Sequence, residues 1–380
     1  MKYTFKSDFV SYIAALEKSA LLNRFIPCDT LKVRQYAKAV ILPSKGVYSD
    51  GTFLPESQWG GQICGNNILD FSKISNNLRK SDETVYYIGT FHPCWGHDIT
   101  DGTRLLWGLI PQLGGIKLDN DVKYAYSLCD LSKPLSPNFK SLLSYLGIDD
   151  SNLLLVSEPT QFKSVYLAEE SYWYDINTEE KRTFSTTYQN FFEVLCKRVV
   201  PVKSEPSRTM YFSRTAWHKG NPDFGERYIE KAFQKQWKCE IFHPEQLSFG
   251  QMVEILQETK TLITTEGSIS HNALFMQPGT NLVIIRKAGF ISYYQLMVNQ
   301  LKDLNVTYID AHYTTKFYNE QTPYYGPFFL LVNKQLADFL GIKPHFPIVS
   351  YMHYRFHVVK TSCLNKTISF LAKIKHSIFR

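Results

Sequence analysis

From residue 208 to residue 309, short apolar runs alternate with stretches in which apolar residues recur every three or four positions. Arg208–Ser213 reads as a strand. Asp223–Gln236 carries Phe224, Tyr228, Ala232 and Phe233 at helical spacing. Cys239–Phe242 is a second strand. Ser248 and Gln251 then form a capping-box pattern ahead of an inward stripe of Met252, Val253 and Leu256. Thr261–Thr264 is a third strand, and a short helix follows from Ser268 to Met276, ended by Pro278-Gly279. Leu282–Ile285 is apolar at every position, as a strand covered on both faces should be. A helix at Tyr293–Leu301 and a strand at Val306–Ile309 complete the series. Such alternation predicts a doubly wound, Rossmann-like α/β sheet.

The first half repeats the pattern less regularly. Its strands are expected at Val40–Leu42, Val85–Ile88, Tyr124–Ser127 and Leu153–Val156. Helical patterns lie at Ile68–Leu78, Asp98–Leu109 and Ser136–Leu146, the last opened by Ser136-Pro137. Residues 162–184 read as a β-rich or irregular connection, and a helix at Tyr188–Arg198 ends at Pro201. The stretch Pro201–Pro206 is the linker. The expected domains are therefore residues 1–200, residues 201–345 and a C-terminal extension of 346–380. Two α/β domains about a linker form a cleft, so functional residues should stand just after strands.

Composition narrows the classes. The chain has 380 residues, 44% of them hydrophobic and 20% charged, with a formal charge of +7. It can build sizeable cores and is not a disordered chain. The mild basic excess suits anionic small molecules or lipid headgroups. It falls short of the basic stripe of a nucleic-acid binder, so no nucleic-acid partner is expected. The seven cysteines are widely spaced without a CxxC pair, which argues for free thiols in a reducing compartment. There is no signal-like N-terminus and no spanning apolar run, so a cytoplasmic location is expected. No metal is expected: His353 and His357 are one turn apart but lack the glutamate of a zinc helix. GxGxxG and GxxxxGK[ST] are also missing, which disfavours a nicotinamide dehydrogenase or a P-loop enzyme.

Three constellations could carry chemistry. Gly96-His97-Asp98 with Asp101 places an imidazole and a carboxylate one helical turn apart. That spacing suits a general base with an orienting partner, or a structurally satisfied His at an acidic helix start. Glu266-Gly267-Ser268, followed by Asn272, lies between a strand and a short helix. There, backbone N–H groups can hold a phosphate or sugar hydroxyl, and Glu266 can bind hydroxyls or act as an acid or base. Ser213-Arg214, with Trp217, His218 and Lys219 beyond, puts cations after the first strand of the second domain, where guanidinium suits phosphate.

In this order the segments resemble glycosyltransferase family 61, which includes capsular-polysaccharide-type transferases and eukaryotic xylosyl- and N-acetylglucosaminyltransferases. Gly96-His97, Asp101 and Arg104-Leu105 match its first segment. Tyr211-Phe212-Ser213-Arg214 match its aromatic strand ending in Ser-Arg. Pro244-Glu245-Gln246-Leu247-Ser248 match its helix-opening turn. Gly267-Ser268, Asn272 and Phe275 match the last, with Glu266 where many members carry His. The likeness runs from Phe91 to Arg286. It implies a GT-B fold, two Rossmann-like domains facing a central cleft, and inverting, metal-independent transfer from a nucleotide-sugar donor to a glycan or lipid-linked glycan acceptor, with no cofactor. The base would be His97, supported by Asp101, with Asp98 as the alternative. Arg214, Lys219, Glu245, Glu266, Gly267, Ser268 and Asn272 would hold the donor. A polysaccharide pyruvyl transferase and a non-catalytic glycan- or nucleotide-binding protein are the other readings.

Beyond residue 363 the pattern changes. Leu364, Ile368, Leu371, Ile374 and Ile378 form one stripe among Lys366, Lys373, Lys375 and Arg380, and no acidic residue follows Asp338. This is a basic amphipathic helix that could lie on an anionic membrane or pack its stripe across the domains. The first case would make the enzyme peripheral at the inner face of the membrane.

Overall fold

The computed structural model describes residues 1–7, 31–57, 78–92, 94–173, 183–202, 204–217, 222–287, 291–312 and 326–361. Lys219, the helical pattern at Ile68–Leu78 except its last residue, and the stretch from 362 lie outside the described residues. Among the described residues no helix is long and apolar enough to cross a membrane.

The first half builds one sheet. Its strands are β2 (Val33–Ala37), β3 (Val40–Leu42), β4 (Gly46–Ser49), β5 (Thr52–Phe53), β6 (Arg79–Phe91), β7 (Lys123–Leu128), β8 (Leu153–Leu155) and β9 (Thr160–Ala168). The order β9-β6-β7-β8 is parallel throughout. β2 and β3 run antiparallel to β9, and β3, β4 and β5 form consecutive antiparallel pairs. This mixed sheet corrects the expectation of a purely Rossmann-like first half. Residues 162–168, read as part of a β-rich or irregular connection, belong to its central strand, β9. Their alternation is masked because both faces of β9 are largely covered.

Two helical expectations are also sharpened. The Asp98–Leu109 pattern is a short helix α1 (Trp95–Ile99) followed by separate 3-10 turns at Asp101–Thr103 and Leu106–Leu109. The Thr100 and Thr103 hydroxyls donate to the carbonyls of Gly96 and Ile99, a competition that shortens helices. α2 (Pro137–Ser144) starts where Ser136 caps it, through a hydrogen bond from the Phe139 N–H. A small antiparallel pair, β10 (Tyr172–Trp173) and β11 (Thr183–Phe184), leads to α3 (Thr186–Val199).

The second half is a parallel sheet as the pattern predicts. β12 (Arg208–Phe212), β14 (Glu240–Phe242), β15 (Thr259–Thr265), β16 (Asn281–Arg286) and β17 (Asn305–Asp310) are joined by α4 (Glu226–Trp237), α5 (Phe249–Gln257), the 3-10 segment Ser270–Phe275 and α6 (Tyr293–Leu301). A two-strand pair, β13 (Asp223–Phe224) with β18 (Phe328–Phe329), sits beside it, ahead of α7 (Lys334–Leu340) and a helix over 348–361, α8. The sheet order is β14-β12-β15-β16-β17, the doubly wound 2-1-3-4-5 arrangement, whose switch point lies between β12 and β15.

Residues 2–6, placed with the first domain by sequence, extend this second sheet. β1 (Lys2–Lys6) pairs in parallel with β17 because Tyr3 and Phe5 stack on Tyr308. A cut at residue 200 therefore does not separate the two sheets.

Burial alternates along the second sheet. Tyr211, Ile263, Val283 and Ile309 face a core with Ile229 and Phe233 of α4 and Leu336 of α7. Met210, Phe212, Leu262 and Ile284 face the opposite way. That second core is continuous with the first half: Phe139 and Leu142 of α2 and Phe191 and Phe192 of α3 share it with Phe249 and Phe275. Between α3 and β12, Pro201, Val202, Ser204 and Glu205 are exposed and outside helix and strand. Cys129, directly after β7, is disulfide-bonded, which corrects the expectation that every cysteine is a free thiol.

Candidate functional site

The carboxyl ends of β6, β12, β15 and β16 converge on one region. After β6 the chain turns through Cys94 into α1, which lies directly on the segment that follows β15. The Trp95 indole donates from Nε1 to Asn272 Oδ1 at 2.7 Å, and Cys94 Sγ is 3.7 Å from Ser268 Oγ. Gly96 is required there. A Cβ at that position would stand 2.7 Å from Ser268 Oγ and 3.1 Å from His271 Cδ2, closer than side chains pack. Two of the sequence constellations, distant in the chain, are thus one surface.

On it, His97 Nδ1 lies 2.8 Å from Oδ2 of Asp101, whose side chain is fully buried. An ionised Asp101 can only accept, so Nδ1 carries the proton and the basic lone pair is on Nε2. The ring is held between His92, 5.3 Å away centroid to centroid, and Tyr294 of α6, 5.4 Å away and nearly perpendicular. Behind Asp101, the buried Arg104 reaches Glu170 at 3.5 Å. Burial still pushes the Glu170 carboxyl up to about 8, with the Arg104 charge pulling the other way.

Asp98 stands elsewhere. It is buried against the cap of α2, where Ser136 Oγ donates to its Oδ2 at 3.4 Å, and burial holds its carboxyl well above the ordinary range. The structure separates it from the His97–Asp101 pair.

Facing α1, the turn after β15 is shaped by Gly267 at φ +122°, a conformation other residues rarely adopt. The expected helix at 268–276 is a 3-10 segment, Ser270–Phe275. It is anchored to α6: Ser270 Oγ and His271 Nδ1 lie 2.6 and 3.0 Å from Gln295 Oε1. Burial lowers His271 to about 4, so it is neutral and donates there as a structural imidazole.

Glu266, Arg214 and a lysine that the sequence reading passed over form the charged part. Lys287 Nζ and Arg214 Nε both approach Oδ2 of Asp223, at 3.0 and 3.5 Å. Glu226 Oε1 accepts the Arg214 backbone N–H at 3.0 Å. Burial, with Asp223 nearby, raises Glu226 to about 8. Glu266 accepts the Lys287 backbone N–H at 3.4 Å through Oε2, and its buried Oε1 has no hydrogen-bonding partner among the described residues. Burial raises it to about 7, against the pull of Arg286 and Lys287. Near neutrality Glu226 is mostly uncharged and Glu266 about half so, and the two cations outweigh Asp223. The cluster is cationic, at the switch point where doubly wound sheets bind ligands.

Lys287 had a readable signal: it stands two residues after the apolar run Leu282–Ile285, directly after β16. Glu245 is not part of this cluster. It is exposed on the 3-10 turn Pro244–Gln246 after β14, the outermost strand on that side of the sheet. A surface depression of about 590 Å³ lined by Asp119, Asp121 and Lys163 lies at the amino-terminal end of β7, at the opposite end from His97, and contains none of these groups. Among the described residues no group of three or more His, Cys, Asp or Glu could hold a metal ion.

The sequence matches the family model described as Glycosyltransferase 61 over residues 29–283. No curated protein matches the chain.

Proposed function

Because the chain belongs to glycosyltransferase family 61, we propose that it is an inverting transferase of GT-B type, moving a sugar from a nucleotide-sugar donor to a glycan acceptor of surface polysaccharide or glycolipid. In this reaction the acceptor hydroxyl oxygen attacks the anomeric carbon. Its bond to the diphosphate breaks, and the configuration inverts. His97 takes the hydroxyl proton on Nε2, and Asp101 stabilises the imidazolium through Nδ1. The departing diphosphate gathers charge, which Arg214 and Lys287 offset. Gly267 lets the backbone of its turn approach the donor, and Asn272, held by the Trp95 indole, donates to the Ile269 carbonyl and so fixes the segment after β15 against α1.

One observation carries the proposal: an oriented His–Asp pair packed directly on the turn after β15, beside a cationic cluster at the switch point of a parallel sheet. The raised carboxyls of Glu226 and Glu266 fit it. A protonated Glu266 can donate a hydrogen bond to a donor hydroxyl or phosphate oxygen where an ionised one would repel the phosphates.

A thermal-shift series with UDP, GDP and CMP sugars tests the reading. A bound donor at a hundred times its dissociation constant stabilises the fold by about 3 kcal/mol. The shift should depend on Arg214. Stabilisation by phosphoenolpyruvate alone would instead favour pyruvyl transfer, and no shift with any nucleotide sugar would overturn the donor assignment.

A further inference from the structure

Helix α8 is amphipathic with its apolar side turned outward. Inward it packs Tyr351 and Tyr354 against Phe329, and His357 against Phe224. Outward it presents Ile348, Val349, Met352, Phe356 and Val359, with Met352 63% and Phe356 72% exposed. Positions 348, 352, 356 and 359 recur at helical spacing and form one stripe. A merely solvated face would be polar, and a contiguous apolar patch of this kind marks a contact surface. Arg355 and Lys360 are exposed on the same helix and Lys343 precedes it, whereas no carboxylate follows Asp338 in the sequence.

We propose that this face of α8 docks on an anionic lipid surface. Charge selects that occupant. Two copies meeting through this stripe would bring the exposed cations of the two helices together. Residues 362–380 are themselves cationic, so folding them over the stripe would meet the same repulsion. A bilayer of anionic lipid accepts both features, taking the apolar side chains into the acyl boundary and the cations at the headgroups. The inference goes beyond sugar transfer and does not depend on it. Its consequence is that the enzyme works beside a membrane, where a lipid-linked acceptor would be presented.

The test uses the full chain and co-sedimentation with phosphatidylcholine vesicles, with and without phosphatidylserine. Binding is expected only to the anionic vesicles and should weaken with salt. Met352→Asp with Phe356→Asp should weaken it roughly tenfold or more. Because both side chains are exposed, the melting temperature should hold, and turnover on a soluble acceptor should be unchanged. Equal sedimentation of wild type and double variant assigns any binding to residues 362–380 and overturns the proposal. So does equal binding to neutral and anionic vesicles. A dimer in light scattering that the double variant abolishes gives the face to a second copy and overturns it as well.

Discussion

The imidazole Nδ1 of His97 and the carboxylate Oδ2 of Asp101 stand 2.8 Å apart, four residues along the chain and bridging a break between two helical turns. Only an acceptor at that oxygen keeps the proton on Nδ1. Asp101→Asn offers either an amide oxygen or an amide donor, and the donor would demand the other tautomer. Asp101→Asn and His97→Ala should each lower kcat by roughly 10²–10⁴ while leaving the donor dissociation constant unchanged. Single-turnover kinetics with saturating donor measures this. A kcat within tenfold of wild type in both variants would remove His97 as the base.

Gly96 and Ser268 meet across the two halves, and the contact is steric. In Gly96→Ala the new Cβ falls 2.7 Å from Ser268 Oγ, so a stability loss of about 1–3 kcal/mol is expected, typical of overpacking. Ser268→Gly removes both the hydroxyl and the Cβ that crowd it. The double variant should recover much of the loss, which urea unfolding of the four proteins resolves as a coupling energy. Simple additivity would mean that the two residues are not in contact.

Arg214 and Lys287 share Asp223, so each is held ready without being neutralised by a carboxylate of its own. Arg214→Ala and Lys287→Met should each weaken donor binding by about 2 kcal/mol, the scale of a charge-assisted contact. Binding of the nucleoside alone should respond little to either substitution, since it lacks the phosphates that the two cations contact. Calorimetric titration reads both arms. Unchanged diphosphate binding in both variants contradicts the assignment.

Glu266 makes stability depend on pH. Its ordinary value is 4.5 and burial raises it to about 7. A raised value means the folded state holds the proton more tightly than the unfolded chain does. Its contribution is therefore fully present below about pH 4.5 and is lost as pH rises through 7. Wild type should lose about 3 kcal/mol over that window relative to Glu266→Gln, which cannot titrate. Glu226 and Glu170 shift in the same direction and His271 opposes them below its ordinary range. These contributions are common to both proteins and cancel in the comparison. Parallel pH profiles of wild type and variant would show that Glu266 is ionised when folded.

What the sequence determined by itself was local. Strands such as Leu282–Ile285 and the capping box at Ser248 were legible, because a continuous apolar run and cap hydrogen bonds involve neighbours in the chain. The family segments were legible for the same reason: Gly96-His97 with Asp101, and Glu266-Gly267-Ser268 with Asn272, are contiguous stretches. Tertiary structure decided which of these belong together. Asp98 sits beside His97 in sequence, yet it is buried under α2, because successive residues on a helix point to different sides. Lys287 joins Arg214 through Asp223, from three separate stretches of chain, and no spacing rule connects them. β1 extends the second sheet from the opposite end of the chain, and β9 is a central strand whose two covered faces hide its alternation. Pairing of distant strands and burial of charge depend on the whole packed core, and only the folded chain contains that information.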